Sequence, residues 1–166
     1  MKKKKSIIYL CQGALIAALY VVLCLIFEPI SFSAIQCRIA EALTILPCFT
    51  PAAIPGVAIG CLISNLIGGS SYLDIIFGSF ATLLGALGTY TLRKKYYLAP
   101  LPPIFFNTLI IPFVLRFAYF DESPIYFLGI TVFIGEIISC GILGLFLYFA
   151  LRKYSHHIFP KLCFFN

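Results

Sequence analysis

Charge is scarce in this sequence. Only 11% of its 166 residues are Asp, Glu, Lys or Arg, while 61% are apolar, and so little charge excludes the hydrated shell on which a soluble domain depends. There is no polar stretch long enough to form a domain outside a bilayer, and no linker, low-complexity tract or internal repeat. No Walker loop or other nucleotide-binding signature occurs, so the chain cannot hydrolyse ATP by itself. The seven cysteines (Cys11, Cys24, Cys37, Cys48, Cys61, Cys140 and Cys163) lie mostly within apolar runs. They show no CxxC or Cys/His spacing, which argues against zinc or a redox pair and makes small buried hydrophobes of them; no metal or cofactor is expected.

What is present is a series of apolar runs. Each is measured against the roughly 20 residues needed to cross about 30 Å of hydrocarbon. The chain therefore reads as an all-α integral membrane protein with six hydrophobic segments, at about 6–27, 37–49, 52–67, 72–92, 98–117 and 124–151. The opening "MKKKKS" resembles the start of a signal peptide, but no small-residue cleavage site follows and the run reads as a retained first helix. Pro29 ends the first segment at Glu28. The second is too short to cross upright, which predicts a partial span covered by its neighbours. Pro47, Pro51 and Pro55 mark the turn into the third, "GGSS" closes it, and Pro112 predicts a kink in the fifth.

Six crossings put the lysine run, "RKK" (93–95) and "RKYSHH" (152–157) on one side and "DES" (121–123) on the other. By the positive-inside rule both termini are then cytoplasmic, in a multi-pass cell-membrane protein. The net charge of +6 belongs to these boundaries, where it meets anionic headgroups rather than nucleic acid.

Ionisable groups at membrane depth are costly, and they mark a pathway or a site. Four stand out: Arg38, Glu41, Asp74 and Glu136. In the assigned topology all four can point toward one outward-opening cavity. Arg38 and Glu41, three apart, could form a structural ion pair. Alternatively Glu41 accepts a ligand's paired N–H donors while Arg38, or Gln36 beside it, donates to a carbonyl. Glu136 has no charged residue within four positions, so its partner comes from elsewhere, as a ligand, Arg116 or a bound proton, or it is a buried neutral acid. Asn107 and Asn65 suit interhelical hydrogen bonds, and each, Asn107 the more, also suits a ligand. Asp74 follows "GGSSY", where a carboxylate can cap a helix. Arg116 reads as a lipid anchor, and His156 and His157 as incidental to the tail. In the first helix "GALIAA" places Ala14 and Ala18 four apart, a small face suited to a partner helix, with Gly13 and Ala17 as a second pair. Gly56 and Gly60 repeat the device and equally suit internal packing.

The stretch "QCRIAEALTILPCFTPAAIPGVAIGCLISNLIGG", Gln36 to Gly69, resembles the signature region of the QueT family. These are substrate-binding S components of energy-coupling factor (ECF) transporters associated with queuosine precursors. The resemblance implies a six-helix S-component fold with a pocket near the extracellular side, gated by the loop Glu28 to Gln36. It implies as partners a transmembrane T component and two cytoplasmic ATPases that topple the S component to deliver its ligand, with no catalysis by this chain. The family's alanine motif falls on Ala14 and Ala18. The implied ligand is a deazaguanine, such as queuine or a precursor base, or queuosine itself. For its N–H and amino donors Glu41 or Glu136 is suited, for its carbonyl Arg38, Gln36 or Asn107, and for an aminomethyl group Asp74. Two other classes compete: a small membrane enzyme using Glu41 or Glu136 as acid or base, and a stand-alone ion-coupled carrier using the same acids. Against the enzyme, no His or Ser constellation accompanies them.

Overall fold

The computed structural model describes residues 2–27, 38–120 and 122–154. Six helices and no strand occur among them. Helix α1 is Lys2–Ile26, α2 is Ile39–Cys48 and α3 is Ala53–Ile67. Helix α4 covers residues 72–91, α5 is Leu101–Ala118 and α6 is Ile125–Arg152. Three of them, over Ser6–Ile26, Leu101–Ala118 and Ile125–Arg152, are long and apolar enough to cross a membrane.

Winding departs from α in three places. The whole of α2 is a 3₁₀ helix; at about 2.0 Å per residue it reaches further than an α-helix of the same ten residues. It still falls short of a bilayer, and every residue from Ala40 to Cys48 is buried. Neighbours on four sides cover it, for α2 packs on α1, α3, α4 and α6. In α4 the stretch Asp74–Gly78 is wound as a π-helix, as is Ile137–Leu143 in α6. By contrast α5 runs unbroken through Pro112, with the other prolines near it at or before its first turn, where missing N–H donors cost nothing.

Around α2 the remaining helices pack in series, α1 on α3, α3 on α4, α4 on α5 and α5 on α6. Glycines set the close approaches. A Cβ at Gly56 would lie 2.9 Å from the Gly13 carbonyl oxygen, and one at Gly60 would lie 2.7 Å from Tyr20 Cβ. So Gly13 and Ala17 belong with Gly56 and Gly60 in the α1–α3 contact, whereas Ala14 and Ala18 are exposed. Across α4 and α5 the same arrangement recurs, Gly85 and Gly88 lying against Pro103 and Pro102.

The surface inverts that of a soluble protein. Leu10 is 65% exposed, Phe105 62% and Phe146 73%, while Glu41, Asp74 and Glu136 are each no more than 4% exposed. An apolar exterior around buried acids is what a hydrocarbon solvent requires, and this is a membrane protein. At one end of the bundle Tyr148 stacks between Phe49 and Tyr96, with ring centroids 5.0 and 5.1 Å away, near the Arg93–Lys95 turn. Toward the other end lie Arg38 and the buried side chains of Glu41, Asp74, Asn107 and Glu136.

The α1–α3 contact is testable. Gly60→Ala forces the two backbones apart and should destabilise the protein by about 1–3 kcal/mol. Gly129→Ala, whose Cβ would meet nothing closer than Pro112 Cγ at 4.0 Å, should be neutral or slightly stabilising. Thermal unfolding of both variants in detergent measures the difference.

Candidate functional site

Arg38 immediately precedes α2 with extended backbone, φ −80° and ψ 95°. Because it lies outside the helical turn, it does not align with Glu41, and its salt bridge runs to Asp74 on α4, Nη2 to Oδ2 at 3.1 Å. Asp74 Oδ2 also accepts the Tyr119 hydroxyl at 3.2 Å, from the end of α5. Asn65 on α3 donates to the Asp74 backbone carbonyl at 3.2 Å. Gly78 makes room for this knot, since a Cβ there would lie 2.8 Å from Asp74 Oδ1. Asp74 makes no side-chain cap; it ties α3, α4 and α5 to the residue that opens α2.

Glu41, in the first turn of α2, is fixed from two other helices. Its Oε1 accepts the Tyr20 hydroxyl of α1 at 2.5 Å and the Thr82 hydroxyl of α4 at 3.0 Å. Its Oε2 is buried and has no hydrogen-bond partner among the described residues.

Glu136 on α6 closes the group. Asn107 of α5 donates to its Oε1 at 2.9 Å, and the Cys140 thiol to its Oε2 at 3.1 Å. Glu136 directly precedes the π segment, and Asp74 begins the other one; interruptions of this kind recur at functional sites. Oxygens of Glu41 and Glu136 and the Cys140 sulfur lie within 4.8 Å of one another. Two carboxylates and a thiol so close attract cations or protons.

Arg38, Glu41, Asn107, Ile111, Val132 and Glu136 line one cavity of about 10 Å³, room for about one water. Larger hollows lie elsewhere, such as one of about 410 Å³ lined by Leu73, Phe77, Leu109, Ile110, Phe113, Val114 and Phe117. With no polar side chain in its wall, that hollow suits an acyl chain rather than a polar ligand.

Of the residues singled out in the sequence, Arg38, Glu41, Asn107 and Glu136 share this cavity, and Asp74 stands behind Arg38. Ala14 and Ala18 lie apart, on the outer face of α1. Gln36 and the loop Glu28 to Gln36 lie outside the described residues, as do Cys37, Cys163 and the two histidines. Tyr20, Thr82, Tyr119 and Cys140 were not singled out. For Tyr20 and Thr82 a signal existed, since a hydroxyl in the middle of an apolar run needs an acceptor from another helix.

A family model described as QueT transporter matches residues 10–153. The queuosine precursor transporter QueT of Lactococcus lactis subsp. cremoris is 30% identical over 152 residues, covering 84% of this chain and 89% of that protein. No solved structure matches. Family and relative are transporters, not enzymes, which sets aside the membrane-enzyme alternative.

The Arg38–Asp74 pair carries its own test. Asp74→Asn removes the carboxylate of a buried salt bridge while Glu41 and Glu136 remain in the cavity that Arg38 lines, and should cost about 1–3 kcal/mol. Combining it with Arg38→Gln should cost less than the two single changes added together. A double-mutant cycle on unfolding in detergent reads the coupling, and additive effects would mean that the pair contributes nothing.

Proposed function

This chain belongs to the QueT transporter family, and on that premise we propose that it is the substrate-binding S component of an ECF importer for queuosine precursors or their salvage forms. In this reading it crosses the bacterial plasma membrane six times, α2 as a partial span, with both termini cytoplasmic. The charge pattern supports that orientation: the lysine-rich start, Arg93 to Lys95 and Arg152 with Lys153 fall at one end of the helices, and Glu122 at the other. The polar cavity then lies toward the outside. Ala14 and Ala18, exposed on α1, meet the T component, and two cytoplasmic ATPases drive toppling. The chain itself supplies only the difference in ligand affinity between the outward and inward states.

The ligand in this reading is a deazaguanine base. The observation that carries it is Glu136 held by Asn107 in a cavity shared with Arg38 and Glu41. The Watson–Crick edge of such a base presents an N–H and an amino group beside a carbonyl. Glu136 accepts the two donors, and Arg38 and Asn107 donate to the carbonyl. Ile111 and Val132 supply apolar faces for the ring. Asp74, whose Oδ2 is engaged by Arg38 and Tyr119, stands outside the cavity wall and positions the guanidinium. A cavity of about 10 Å³ is far below the roughly 300 Å³ at which small-molecule pockets begin. Ligand entry therefore requires residues that line the cavity to move apart.

The test is a titration of the purified chain in detergent with queuine and its aminomethyl and nitrile precursors, followed by tyrosine fluorescence. Saturable binding in preference to guanine is expected, and Glu136→Gln or Asn107→Ala should weaken it by about tenfold or more. In cells, uptake should need the T component and ATPases and stop when ATP is depleted. Absence of binding by folded protein would remove the ligand assignment, and uptake that survives ATP depletion would turn the site into that of an ion-coupled carrier.

A further inference from the structure

The buried site holds more carboxylates than cations. Arg38 is bridged to Asp74, which leaves Glu41 and Glu136 facing the same cavity. The hydrogen bonds on Glu136 come from an amide and a thiol, and those on Glu41 from two hydroxyls. None of these four donors carries positive charge. Two carboxylates in an apolar interior need a cation or a proton between them, because an uncompensated buried charge is strongly unfavourable.

The two acids are not equivalent. Both oxygens of Glu136 are engaged, which fixes the carboxylate plane as a platform for two parallel donors. Glu41 is anchored through Oε1 alone, and its Oε2, in a residue 1% exposed that lines the cavity, has no hydrogen-bond partner among the described residues. A single free oxygen on an anchored carboxylate suits a compact point donor, as an ammonium is.

We infer that Glu41 Oε2 receives a positively charged substituent of the ligand, so that this chain selects deazaguanine bases bearing a protonated aminomethyl arm over uncharged analogues. The inference rests on the deazaguanine reading and adds to it the sign of charge that the site recognises. The arm replaces whatever neutralises the second carboxylate in the ligand-free site. No covalent step is involved.

The experiment compares aminomethyl- and nitrile-deazaguanine, two bases of similar size and opposite character at that arm, by titration of the intact purified chain. Expected for the wild type is tighter binding of the aminomethyl form by about tenfold to a hundredfold, the range of a charged hydrogen bond. Glu41→Gln preserves the acceptor that Tyr20 and Thr82 use while removing the charge, and should collapse the ratio between the two ligands. Glu41→Asp keeps the charge at shorter reach and should retain a reduced preference; it serves if the glutamine variant does not fold. Equal affinity of the wild type for both bases would overturn the inference and leave the deazaguanine reading standing. A preference that persists in folded Glu41→Gln would overturn the assignment to Glu41. Failure to bind either base would remove both readings together.

Discussion

A polar group in hydrocarbon must find its partner within the protein, and this constraint organises the molecule. It acts most strongly on α2, a helix too short to span and buried along nearly its whole length. Its entry residue Arg38 is tied to Asp74, and its first-turn Glu41 to Tyr20 and Thr82, so α1 and α4 are fastened directly to the start of one short helix and the end of α5 is joined to it through Asp74. Each bond joins residues distant in sequence. The polar cluster thus fixes the mutual placement of helices whose apolar surfaces alone would slide, since lipid solvates leucine as well as another helix does.

Close backbone approach makes those bonds geometrically possible. Tyr20 reaches Glu41 where α1 lies close against α3, the Ile16 and Tyr20 side chains taking the room left by Gly56 and Gly60. On the other flank, Gly85 and Gly88 let the proline-rich start of α5 dock on α4, and the same helix presents Asn107 to Glu136. Small residues and buried acids therefore act together: the first allow the helices to approach, and the second specify their register.

Much of this was legible in the sequence, at the level of which residues must be inside. Hydropathy runs and proline punctuation mark the helices, and isolated Glu41, Asp74, Asn107 and Glu136 in apolar surroundings identify themselves as groups needing partners. The partners were not legible. The i, i+3 spacing of Arg38 and Glu41 invites an ion pair, but it presumes that Arg38 is helical, and its extended backbone turns it to Asp74 instead. Nor does "IAEALTILPC" announce a 3₁₀ helix, because apart from Pro47 its residues have ordinary α preferences. The donors to Glu136 come from α5 and from one turn further along α6, and only the assembled bundle brings the first of them near.

The π segments have a further consequence. Such a segment accommodates an extra residue, so the helix beyond it is rotated relative to the helix before it. In α6, the part up to Glu136 packs with α5, while the part from Gly144 onward packs with α2. In α4, Asp74 at the first π turn answers Arg38, and Thr82 beyond it answers Glu41. One continuous rod thereby serves two neighbours that lie in different directions. Chain length between Asp74 and Thr82, and between Glu136 and Gly144, is then as constrained as the identity of any residue there: deleting a single position would swing half a helix out of phase with its partner while leaving every side chain in the sequence.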